Sequence, residues 1–141
     1  MKSFFNSLFL FITPVSPLFL ITFLFVFIDT FTGRKKAKKL NEEITSRKTR
    51  FGIISKLITY FSVIIMAYLL DYFILNEITT HYVWFNYLFT RLWAGVLIWI
   101  EWTSINENLK VLKGYSLNDK AVQLITLLKK VISELMTIKQ Q

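Results

Sequence analysis

The sequence contains no cysteine and one histidine, His81. Without cysteine there is no disulfide framework, no thiol nucleophile and no thiolate metal site. A single histidine without cysteine does not build a structural zinc site, and His81 reads as a solvated loop residue. No metal and no cofactor is expected. No serine has a histidine nearby in sequence, Glu77 alone of the acids lies close to His81, and nothing is left over for a substrate-binding domain. The chain is therefore not read as an enzyme, and no catalytic residue is assigned. The four glycines are scattered, with no phosphate-cradling loop among them. Acidic residues are scarce, 9 against 17 Lys and Arg, which leaves a net charge of +8.

Long apolar runs fill much of the rest. Of 141 residues, 54% are hydrophobic and 17% aromatic. Residues 4–28 carry no charge, 57–70 carry none, and 82–100 carry only Arg91. A helix crossing a bilayer core of about 30 Å needs roughly 20 apolar residues. The expectation is an all-α, oligomeric integral membrane protein in one domain. Its three spans fall at about 14–31, 55–75 and 82–102, a basic loop covers 32–54, helical at first over 35–43 and loop-like around 45–47, and an amphipathic helix covers 116–138. Pro14 and Pro17 sit inside the first apolar run. It reads either as one kinked span or, preferred here, as an interfacial piece over 4–11 followed by a span opening near Pro14. The run is too long for the apolar core of a signal peptide and lacks a small-residue cleavage site, so a retained span is expected.

Charge placement sets the orientation. Nine Lys or Arg lie between Asp29 and the end of the basic segment at Lys56, opposed there by Asp29, Glu42 and Glu43. Flanked by spans, this run reads as a cytoplasmic loop rather than a nucleic-acid patch. The connection 71–81 has Asp71 and Glu77 but no Lys or Arg, and belongs outside. The tail after Ile100 carries six lysines and belongs inside. The N-terminus is then outside and the C-terminus cytoplasmic. Trp84, Trp99 and Trp102 would mark the two interfaces.

Several polar residues fall in awkward places. Arg91 lies within the third apolar run. Such charges face a bundle interior or a water path and pair with something, here Asp71 or Glu77; the alternative is a side chain that snorkels outward. Glu101, Ser104 and Asn108 fall within about 60° of one helix face and suit interhelical hydrogen bonding or a pore lining. Asp29 is placed to cap a helix or to pair with a cation of the basic loop. In the tail, Leu117, Ala121, Leu124, Leu128, Val131, Leu135 and Ile138 alternate by fours and threes, as in a coiled-coil seam. Ser116 and Asp119 form a capping signature before it. The helix either joins subunits through that seam or lies on the membrane surface.

These residues also form a pattern. Asp29-x-x-Thr32-Gly33 precedes a basic segment with Ala37. Ser46 is followed by Arg50-Phe51-Gly52-Ile53 and Lys56. The second span ends in Leu69-Leu70-Asp71. The third leads into Glu101-x-x-Ser104-Ile105-x-Glu107-Asn108, with Gly114 six residues further on. Over roughly residues 18–128 the chain resembles the phage-lysis and toxin-secretion holins. It departs from them after Gly114, where Tyr115-Ser116-Leu117 replaces a stretch that often holds proline. The resemblance implies a phage or prophage protein of the bacterial inner membrane. Such a protein assembles with copies of itself and opens lesions that release an endolysin, for host cell lysis, or a toxin. The lipid bilayer, other copies and the endolysin are the implied partners, and nucleic acid is not. The alternative is a non-lytic oligomeric scaffold or small channel that recruits a cytoplasmic partner through the C-terminal helix.

Overall fold

The computed structural model describes residues 2–78 and 86–138, and every regular element among them is helical. Helix α1 (Lys2–Ile12) passes through a tightened turn (Thr13–Val15) into α2 (Ser16–Lys39). Helix α3 (Ser46–Leu70) ends in a π turn (Asp71–Leu75). Helices α4 (Leu88–Lys113) and α5 (Leu117–Ile138) complete the chain. His81, Trp84 and the expected start of the third span at 82–85 lie outside the described residues, as do the side chains of Leu135 and Ile138.

The two prolines tighten the first helix without ending it. Pro17 has no N–H to give the Thr13 carbonyl, which would be left orphaned in lipid. The Ser16 hydroxyl donates to that carbonyl at 2.8 Å, and the Ser16 backbone N–H also turns to it. The rod therefore continues on both sides of the prolines, further than the expected span 14–31. Phe11, in the piece read as interfacial, packs edge-on against Tyr68 and Tyr72 at 5.1 and 4.9 Å. Tyr68 also donates to the Phe11 carbonyl at 2.6 Å.

The basic segment over 32–54 is helical at first, as expected, but only as far as Lys39 rather than 43, and the stretch expected to be loop-like around 45–47 opens the next helix. Lys, Arg and Ala are strong helix formers, and α2 runs through them to Lys39 while α3 restarts at Ser46. Lys36, Lys38 and Lys39 close α2 at its negative dipole end. Asn41 then takes a left-handed turn (φ 57), with Glu42 N–H bonded to Ala37 O and Asn41 N–H to Lys38 O. That pattern is a Schellman stop with Asn in glycine's usual place.

Helices α2, α3 and α4 pack together, with α2 running most extensively along α4. Ile64, Ala94 and Leu97 form the centre, with Leu18, Phe19, Tyr60 and Val63 around it. The core is thin, and the outside is apolar: Phe73, Trp99 and Met66 are each about two-thirds exposed. Two helical stretches are long and apolar enough to cross a membrane, Phe4–Lys39 and Ser46–Ile78, and only 17% of the most apolar window of each is buried. The core helix of a soluble protein would be mostly buried. Among the described residues α4 does not meet the same measure.

Helix α5 stands apart. Gly114 ends α4 at φ 77, where a side chain would be strained. Ser116 and Asp119 then form the expected reciprocal cap, Ser116 N–H to Asp119 Oδ2 at 2.9 Å and Asp119 N–H to Ser116 Oγ at 3.1 Å. Beyond the cap, Leu124, Leu128 and Val131 of the seam are all more than half exposed.

Candidate functional site

Two polar clusters interrupt the apolar bundle. The first joins α2, α3 and α4 near the basic end. Lys56 reaches Asp29 Oδ2 at 2.7 Å and both oxygens of Glu101 at 3.0 and 2.9 Å. Tyr60, one turn after Lys56, donates to Glu101 Oε1 at 2.6 Å. Asn108 donates to Asp29 Oδ1 at 3.1 Å and to Thr32 Oγ1 at 3.3 Å. The Glu101 side chain is fully buried and that of Asp29 nearly so, while Lys56 is 37% exposed. Two carboxylates thus share one ammonium. Such a cluster is tolerable in a poorly polar interior only when its remaining lone pairs are satisfied. Tyr60 and Asn108 satisfy them, and no buried side-chain polar atom among the described residues lacks a partner.

The second cluster lies toward the opposite end. Asp71 is fully buried. It accepts from the backbone N–H of Phe89 at 3.3 Å and of Thr90 at 2.6 Å, and from the Thr90 hydroxyl at 2.6 Å. Helix α4 begins after Tyr87 in a left-handed conformation, and the Tyr87 side chain makes no cap. Asp71 supplies that cap from α3, meeting N–H groups that a helix start leaves free.

This corrects the expected pairing of Asp71 with Arg91. Asp71 is used by Thr90, and Arg91 lies exposed on the outer face of α4 with no ion pair among the described residues. Of the stripe Glu101, Ser104 and Asn108, the first and last enter the basic-end cluster. Ser104 is half-buried between them and makes no hydrogen bond among the described residues, and Glu107 is exposed. Ile105 is buried in the core. Ser46 opens α3, Gly33 lies beside the Asn108 amide, where a Cβ would make an ordinary contact at 3.5 Å, and Gly52 faces open space.

Four functional contacts carry little sequence signal. Tyr60 is foreshadowed by its spacing of four from Lys56. Thr90 and the lysine Lys39, which donates to the last carbonyls of α4 at Val111 and Leu112, depend on tertiary packing alone. So does Asn106, which accepts from Leu117 N–H and so secures the start of α5.

The family model described as the Bacteriophage holin family matches residues 7–130. The chain belongs to this holin family. No curated protein and no solved structure matches it significantly. Membership assigns it a membrane-permeabilising holin role at the bacterial inner membrane. Asp29, Thr32, Lys56, Glu101 and Asn108, all singled out in the sequence, come from three helices and meet in one cluster, with Gly33 beside it.

Proposed function

We propose that this holin crosses the inner membrane three times, N-terminus outside and C-terminus in the cytoplasm. It assembles with copies of itself and opens lesions through which an endolysin, or in some settings a toxin, leaves the cell. Membership of the holin family is the observation that carries this reading. Two features of the geometry support it. Helix α4 lies beside α3 over the same stretch, with Glu101 against Lys56 and Thr90 against Asp71, so it shares the depth of the two apolar helices. The separation of the two clusters is also informative. From Lys56 to Asp71 along α3 is about 22 Å at roughly 1.5 Å per residue, short of a hydrocarbon core of about 30 Å. The clusters cannot both sit among headgroups of an unthinned bilayer, and their internal pairing suits them to lie within it.

Arg91 then gives the reason for assembly. It projects from the bundle at the level of the Asp71 cluster. A charge facing lipid costs from about 2.5 kcal/mol upward. A neighbouring copy or a water-filled lumen removes that cost, so the Arg91 face is proposed as lumen or subunit contact. Leu117, Ala121, Leu124, Leu128, Val131, Leu135 and Ile138 are proposed as a second contact between copies. Regulated expression in a bacterium tests the reading. The membrane potential should collapse abruptly and a cytoplasmic reporter enzyme should appear in the periplasm. Normal growth with an intact potential would refute it.

One observation favours the scaffold reading in part: among the described residues the apolar face of α5 is exposed and has no partner. Deleting residues 116–141 separates the two. Permeabilisation that survives the deletion supports the lesion-former, whereas a lost partner with membranes intact throughout supports the scaffold.

A further inference from the structure

The corner between the end of α2 and the start of α3 holds an open groove of about 310 Å³. We infer that it binds the phosphate of an anionic lipid of the cytoplasmic leaflet. This inference rests on the membrane reading above.

Charge is the first argument. Arg34 and Lys48 line the groove from opposite helices, with Lys56 at its inner end. Lys56 is held by Asp29 and Glu101. Arg34 and Lys48 make no ion pair among the described residues, although Glu43 stands at the rim. Arg34 also borders an adjoining groove with Lys35 and Lys38. Two unneutralised cations facing one cleft suit a phosphate, which accepts charge-assisted hydrogen bonds from both.

Space is the second. Gly52 lies in the interior of α3, where glycine weakens a helix relative to alanine. A Cβ there would meet nothing within 4 Å, so packing within the chain does not require the glycine. Its absent side chain keeps the groove open. The volume falls at the lower end of the range of ligand sites, roughly 300–1,000 Å³.

Depth and lining choose the source of the phosphate. From Lys56 to Lys48 the groove climbs about 12 Å along α3. It leaves the level of Glu101 and Trp102 and approaches the connection 40–45. That is the headgroup zone of the cytoplasmic leaflet. Ala37, Ile44 and Ile53 give the same groove apolar walls. Those walls suit the glycerol and first acyl carbons of a lipid, and free phosphate has no use for them.

The full chain, in nanodiscs of equal phosphatidylglycerol and phosphatidylcholine, is released and weighed with its retained lipids by native mass spectrometry. Phosphatidylglycerol should be retained preferentially. Arg34→Gln with Lys48→Gln should lower its retention about tenfold, the scale of losing charge-assisted bonds. Gly52→Leu, which fills the groove without changing charge, should lower it as well. Arg47→Gln with Arg50→Gln removes equal charge outside the groove and should leave retention within about twofold of the parent, since general screening attraction alone remains altered. Millimolar inorganic phosphate should not displace the lipid. Equal losses in the two charge pairs, no preference over phosphatidylcholine, or displacement by inorganic phosphate would each overturn the site. Failure of the chain to enter nanodiscs at all would instead strike the membrane reading itself.

Discussion

Replacing Lys56 with methionine removes the only cation from the basic-end cluster and leaves two carboxylates facing each other. Asp29 Oδ2 loses a donor at 2.7 Å and Glu101 loses donors at both oxygens. Tyr60 still serves Glu101 Oε1 and Asn108 still serves Asp29 Oδ1. Breaking a buried pair by deleting one partner costs about 3–5 kcal/mol, chiefly through the charge left behind. The Lys56 side chain is 37% exposed and borders the groove that leads toward Arg34 and Lys48, so the gap is not sealed and the expected loss lies at the lower end, about 3 kcal/mol. Adding Asp29→Asn and Glu101→Gln removes the stranded charges and should recover stability to within about 1 kcal/mol of the parent, since a neutral replacement of a buried ion cluster is often harmless. Reversible unfolding in mixed micelles, followed by helicity or by tryptophan emission, measures both variants. A Lys56→Met protein as stable as the parent, or a triple variant no better than the single one, would refute the cluster as the tie between α2, α3 and α4.

Asp71→Ala should unfasten the start of α4, because it strips three donors of their acceptor. A loss of about 1–3 kcal/mol is expected, with faster amide exchange at Phe89 and Thr90 while Ile64 and Leu97 stay protected. Leu124→Lys with Leu128→Lys alters side chains more than half exposed in the single chain, so helicity should hold while the mass of the solubilised assembly falls on a native gel. An unchanged mass would remove α5 as a contact between copies. Acidification should fray α5. The Asp119 carboxyl is held below its ordinary value of 3.8 by hydrogen bonds from Ser116, so its contribution is present above that value and is lost as pH falls through the lowered one. Circular dichroism followed as pH falls from neutral to well below 3.8 should show the loss, and Asp119→Asn should remove the part of it that belongs to α5.

Helical periodicity and charge made part of this arrangement readable in the sequence. Glu101 and Asn108 sit seven apart, so any continuous helix sets them on one face, and both enter the same cluster. Asp29 was placed to pair with a basic-loop cation, and Lys56 is that cation. The Ser116–Asp119 cap is local chemistry and needs no tertiary information. Arg91 was legible as a misplaced charge, but its direction depends on how α4 is rotated against its neighbours, which no pattern within 82–102 fixes. The Asp71 contact with Thr90 likewise depends on α3 and α4 meeting at that height. In the basic segment the helix expected over 35–43 is present as far as Lys39, whereas the residues expected to be loop-like around 45–47 open α3. Lys and Arg are among the better helix formers, and local propensity carried α2 to Lys39 and started α3 at Ser46.

The natural chain has no cysteine, so single cysteines report sidedness without background. Before the potential falls, a membrane-impermeant maleimide applied to intact spheroplasts should label Glu77→Cys and leave Glu42→Cys and Gln141→Cys untouched until the cells are opened. Labelling of Glu42→Cys from outside, or of Gln141→Cys together with Glu77→Cys, would contradict three crossings with the tail in the cytoplasm.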